Sequence, residues 1–193
     1  MVFFIFQCHT APKNHIKKFL KKHEMRPLVS ACLLIAFIAF GCKKDNQSGG
    51  GSSTDQDFTS QASMDNFTEI SLGQVAKAKA ADTAIVRFAD QVIAERVQAS
   101  AQLKDIASRL KISAPDTMNA QQAVLKTQLS ALSGREFDSV YIHSEITSHD
   151  NAVVLYQHEM NFGSNGELKD FATQNFSRLQ TTLNLADSLV VNY

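Results

Sequence analysis

The chain has 193 residues, 44% of them hydrophobic and 20% charged, with a formal net charge of zero. That composition suits one or two globular domains and excludes a wholly disordered chain. The charge is unevenly spread. Residues 1–41 hold six of the 19 basic groups and a single acid, so residues 42–193 carry a net of −5. A nucleic-acid-binding body would want a basic face instead. The three cysteines are Cys8, Cys32 and Cys42. None remains beyond them for an internal disulfide or a Cys-type zinc site.

The first element is an address. Leu28 to Phe40 is an apolar run of 13 residues interrupted only by Ser30. It is shorter than the ~20 residues that cross a bilayer, and it fits the apolar region of a secretory signal. Ala39-Phe40-Gly41-Cys42 resembles the lipobox of bacterial lipoproteins, in which the cysteine sulfur receives a diacylglycerol and the chain is cut before it. Met25-Arg26 and the apolar run make a compact signal, so Met25 rather than Met1 is the favoured start. An uncleaved anchor helix is the competing reading. Residues 1–41 are thus expected to be signal, and Cys42 the lipidation site. Lys43-Lys44 follow Cys42 with no aspartate directly behind it. That pattern points to the outer membrane, facing the periplasm or the surface.

Residues 42–56 are expected to be the lipidated cysteine and a tether, because Asn46 to Thr54 (NQSGGGSST) is too rich in Gly and Ser to bury a core. A phosphate-binding glycine loop would need a preceding strand and a following Gly-Lys pair.

Residues 57–193 read as helices, with apolar positions alternating three and four apart. The first seam is Phe58, Ala62, Asp65, Glu69, Leu72, Ala76. The second runs Ile85, Ala89, Val92, Arg96, Ala99, Leu103, Ile106, Leu110. A short third helix is expected after Pro115, with Asp116 as N-cap and Gly134 as its stop. The fourth seam is Ile142, Ile146, His149, Val153, Tyr156, Met160, ending near Gly163. The last is Leu168, Ala172, Asn175, Leu179, Thr182, Ala186, Leu189, with Ser164 or Asn165 as N-cap. The expected fold is all-α: an antiparallel four-helix bundle with an extra short connecting helix.

Polar residues inside these seams are the informative ones. Glu69, Arg96, His149 and Thr182 each interrupt one long helix, and in a bundle such positions can converge on one layer. Asp65 and Asn175 read as edge positions. The layer has two readings. In one, Glu69 and Arg96 form a buried ion pair and His149 donates to a carbonyl or to Thr182, which fixes helix register. In the other, Glu69 and His149, with Glu145 one turn before His149, hold iron or manganese as facing helices do in metal-binding bundles. The ion pair is favoured, because arginine repels a cation. His143 and His158 lie off the seam and are expected to be exposed. The Glu-x-x-His pattern, a zincin pair, a nucleophile elbow and a Cys–His pair are all absent from the sequence. Enzymatic activity is therefore not expected.

The order of these pieces resembles the domain-of-unknown-function 4142 family, predicted outer-membrane proteins with a ferritin-like bundle. The resemblance is carried by Asp57-Phe58, by Glu69 with Leu72-Gly73-Gln74-Val75-Ala76, and by Val86-Arg87-Phe88-Ala89-Asp90-Gln91-Val92. It continues through Gly134-Arg135-Glu136-Phe137-Asp138 to Ile142, His149, Leu168-Lys169-Asp170-Phe171-Ala172, and Leu179 to Ala186. The family pattern keeps Glu69 and His149 but has histidines where this chain has Arg96 and Thr182. If the family cluster binds metal, this chain lacks two of its ligands. The expectation is a lipid-anchored envelope protein that contacts the membrane through its lipid and an unidentified envelope protein through its bundle. It needs no cofactor and binds no nucleic acid. The alternative is a degenerate ferritin-like metal-binding or oxidoreductive protein.

Overall fold

The computed structural model describes residues 51–193. The signal, the choice between Met1 and Met25, and Cys42 lie outside the described residues. Five helices follow in order: α1 Ser53–Lys79, α2 Thr83–Leu110, α3 Ala120–Ala131, α4 Gly134–Phe162 and α5 Gly166–Val190. No helix among the described residues is long and apolar enough to cross a membrane.

The long helices form an antiparallel bundle, as expected. Asp55, at the start of α1, accepts hydrogen bonds from the Ser164 and Asn165 backbone between α4 and α5. At the opposite end, Asp138 near the start of α4 accepts from Ala81 and Asp82 between α1 and α2. Helices α1 and α5 therefore run one way and α2 and α4 the other. The four pack in a ring, α1 against α2 and α4, and α5 against the same two. Each is antiparallel to both neighbours. Helix α2 ends at the opposite end from where α4 begins. Residues 111–133 span that length, and α3 within them lies over α1 and α4.

Local signals set the boundaries, and three differ from expectation. Helix α1 starts inside the segment read as tether, because Ser52 and Asp55 form a reciprocal capping box. Helix α3 starts after Asn119 rather than Asp116, through a second capping box with Gln122. Gly134 does not stop α3, which Leu132 caps. Its φ of 64° lets the chain turn directly into α4. At the α1–α2 contact Gly73 is required, since a Cβ there would sit 2.7 Å from Ile93 Cγ1.

The core consists of two apolar clusters. One gathers Phe58, Leu103, Tyr156, Phe171 and Leu179. The other gathers Leu72, Ile85, Phe88, Phe137, Tyr141 and Ile142. On α1, α2 and α4 the polar seam residues fall between them. The described residues form one compact unit with its own core, as a chain of that length can.

Candidate functional site

Three of the four polar seam residues meet in that layer. Arg96 Nε lies 2.6 Å from Glu69 Oε2, with the two side chains only 5% and 3% exposed. Neither atom has a directed hydrogen bond, so the contact is an ion pair by proximity. Arg96 Nη2 lies 3.2 Å from His149 Nε2. A guanidinium can only donate, so Nε2 accepts and Nδ1 carries the proton. Nδ1 in turn donates to the Glu145 carbonyl at 2.9 Å, within α4. His149 is thus neutral and clamped at both nitrogens. Burial works against the Arg96 charge, but Glu69 overrides it and holds the guanidinium pKa above its ordinary value.

Thr182 is buried in α5, but it is bonded elsewhere. Its hydroxyl donates to Glu95 Oε2 at 2.9 Å, so it supports the layer's flank rather than joining it. Asn175 is buried rather than an edge residue, and it donates to the Phe171 carbonyl. His143 and His158 are exposed, as expected.

Glu145 joins the layer fully. It is 1% exposed, and neither carboxylate oxygen has a hydrogen-bond partner. Burial first, then the charge of Glu69, push its pKa well above the usual carboxylate range. Burial thus favours the uncharged form of Glu145. Tyr141 faces it, and burial, reinforced by Glu145, raises that phenol. At the layer's edge, Asp65 Oδ1 accepts from Gln61 at 2.8 Å and Gln122 at 2.7 Å. Burial, then Glu69, still push Asp65 up to about 6.

Ligand atoms of Glu69, Glu145 and His149 all lie within 4.8 Å of one another. The spacing is that of a group that could hold a metal ion; the charge is not. Arg96 already supplies the cation. A metal on His149 Nδ1 would break the bond to the Glu145 carbonyl and move the ring proton to Nε2, facing the Arg96 donor. It would also share Glu69 with a guanidinium 2.6 Å away. The residues present do not fit iron or manganese while Arg96 is in place.

A second buried acidic pair lies at the end of the bundle, and sequence reasoning missed it. Asp55 and Glu159 are both 0% exposed. Burial raises the Asp55 pKa, but backbone N–H groups of Ser164, Ser52 and Asn165 outweigh it and hold Asp55 ionised. Glu159, beside it, has no hydrogen-bond partner on either oxygen. Burial, then Asp55, push it up to about 7.

The absences of Glu159 from the expected site and of Glu145 from the expected seam share one cause. The buried line of α4 runs through Tyr141, Glu145, His149, Ala152, Tyr156 and Glu159. The expected seam put Ile146, Val153 and Met160 on that line, but they are only partly buried. Ile142, His149 and Tyr156 are buried as expected, but at the alternate positions the preceding residues Glu145, Ala152 and Glu159 turn inward instead. The signal available was Tyr141 and Glu145 at i−8 and i−4 from His149, with Tyr156 and Glu159 continuing the stripe.

Beside the layer, a cavity of about 290 Å³ opens between α1, the start of α3, and α4. Asp65, Glu69, Gln122, Asn151 and Leu155 are among its walls.

Residues 41–189 match the model of a family described as domain of unknown function (DUF4142). The chain belongs to that family. Two solved structures share the fold. A DUF305 fragment from Deinococcus radiodurans superposes with a TM-score of 0.66 at 10% identity, covering 75% of this chain and 99% of that one. A secreted DUF305 protein from Streptomyces coelicolor gives 0.63 at 12%, covering 72% and 91%. No protein of curated function matches the DUF4142 chain.

Proposed function

We propose that this DUF4142 protein is an outer-membrane lipoprotein, anchored through Cys42, whose bundle serves an envelope partner by contact rather than catalysis. The carrying observation is the Leu28–Phe40 apolar run ending at Ala39-Phe40-Gly41-Cys42, followed by a self-contained bundle. The secreted description of the Streptomyces coelicolor neighbour supports an exported location. The non-catalytic part rests on Arg96. It neutralises the buried carboxylate and occupies the acceptor nitrogen of His149, which leaves that imidazole no free base. A Cys42→Ser chain should lose palmitate labelling and leave the membrane fraction or remain unprocessed. Normal processing with unchanged partitioning would sink the anchoring claim.

The metal reading has one specific observation in its favour, the convergence of Glu69, Glu145 and His149. Purified residues 43–193, incubated with iron, manganese and zinc, should retain no stoichiometric metal by elemental mass spectrometry. Arg96→His with Thr182→His should raise the retained fraction. Stoichiometric metal in the unaltered chain, lost on His149→Ala, would reverse this ranking.

A further inference from the structure

We propose that the cavity between α1, α3 and α4 binds a small primary alkylammonium ion, paired with the Asp65 carboxylate and hydrogen-bonded by the surrounding amides. The inference is independent of how the chain is anchored.

The charge pattern selects the sign of the ligand. No lysine, arginine or histidine lines the cavity. Of its two carboxylates, Glu69 is already paired with Arg96 at 2.6 Å. Asp65 forms no salt bridge with any of the described residues, and the Arg96 charge reaches it only weakly, behind burial and Glu69. Both amide donors that reach it, from Gln61 and Gln122, bond the same oxygen, Oδ1. A cation in the cavity would supply the missing charge. Glu69 forms part of the same wall, only 3% exposed, but its Oε2 is already held by Arg96, which leaves Asp65 as the carboxylate open to a ligand.

An anion is disfavoured, although the start of α3 lies at the cavity. The capping box occupies the backbone N–H groups of Asn119 and Gln122, two of the donors a helix N-terminus would offer, and the carboxylates of Asp65 and Glu69 in the wall repel a negative charge.

The walls select the chemical class. Leu155 gives an apolar surface, while Asn119, Gln121, Ser148 and Asn151 offer amide and hydroxyl oxygens. An ammonium head uses those acceptors and its alkyl chain uses Leu155. A hydrated metal ion would leave the apolar wall unused. At about 290 Å³ the cavity sits at the lower edge of the ~300–1,000 Å³ range of ordinary ligand pockets, so the occupant is small.

The test is a titration of residues 45–193 with n-butylammonium chloride, followed through NMR signals of the side-chain amides. Saturable shifts at Gln61, Gln122 and Asn119 are expected, with none from n-butanol. Asp65→Asn should weaken binding at least tenfold. Asn151→Lys, which places an ammonium group at the cavity from the protein itself, should abolish binding and raise the melting temperature. The proposal is overturned by an absence of saturable shifts, by equal shifts with magnesium chloride, or by unchanged binding in Asp65→Asn. Should Asp65→Asn not fold, butylammonium binding at full strength to Asn151→Lys overturns it.

Discussion

The middle and the end of the bundle each bury a pair of acids, and they manage the charge by different means. In the middle, Glu69 is neutralised by the Arg96 guanidinium, and burial beside Glu69 favours the uncharged form of Glu145. At the end, Asp55 keeps its charge because the peptide N–H groups of Ser52, Ser164 and Asn165 converge on it, while Glu159 sits beside it with no donor at all. The middle depends on a side-chain cation that does not titrate. The end depends on backbone geometry and on a proton. Both regions therefore respond to pH, but only the middle depends on a single side-chain cation.

Removing the cation is the strongest way to break this contrast. Arg96→Ala should destabilise the bundle by about 3–5 kcal/mol, the usual cost of stranding a buried charge, as read by urea denaturation. Glu69→Leu combined with Arg96→Leu should recover most of that loss. If the double variant is no more stable than Arg96→Ala, the layer contributes through packing and not through charge.

Next in size is the pH response of the end. The Glu159 pKa in the folded chain, about 7, lies above its ordinary 4.5. Its stabilisation is therefore complete below pH 4.5 and is lost as pH rises through 7. Glu145 and Asp65 are raised as well and add in the same direction. Asp55 is lowered, so its contribution is present above 3.8 and falls only in stronger acid. Thermal melts should peak in mild acid and decline between pH 5 and about 8. Glu159→Gln should flatten that decline while leaving the effect of Arg96→Ala intact. A wild-type melting temperature independent of pH across this window would contradict the assignment.

The smallest effect tests the edge of the middle layer. Thr182→Val removes one hydrogen bond to Glu95 and keeps the shape, so it should cost about 0.5–1.5 kcal/mol. A much larger loss would place Thr182 inside the charged layer instead of on its flank.

What could be read beforehand follows the same division. The long helices were legible because three-four spacing is a direct consequence of helical geometry, and so were Glu69, Arg96 and His149, which break apolar seams. Glu145 was legible only as a candidate ligand beside His149 and Glu159 not at all, because α4 turns inward the residues preceding Ile146, Val153 and Met160 of its apolar stripe. Tyr141 and Tyr156 supply bulk there, and burial raises the pKa of the two acids that accompany them. Gly163 shows how close the fit is, since a Cβ there would lie 2.3 Å from Glu159 Oε1. The start of α1 was hidden for another reason. Ser52-Ser53-Thr54-Asp55 has the spacing of a capping box, but it lies in a Gly/Ser-rich stretch whose composition reads as coil. The start of α3 was misplaced because Pro115-Asp116 is an equally good local signal, and the Gln122–Asp65 bond that favours Asn119 comes from a distant helix.

The long 111–133 connection has a consequence for the order of assembly. It divides the bundle into two helical hairpins, α1–α2 and α4–α5, each closed by a turn of only three residues, 80–82 and 163–165. Such local units close early, since loop-closure entropy rises with the length of chain enclosed. Glu69 and Arg96 belong to the first hairpin, while His149 and Glu145 belong to the second. The ion pair can form while water still reaches it. Its dehydration is then deferred to the step in which the two hairpins dock, when the Arg96–His149 hydrogen bond joins them.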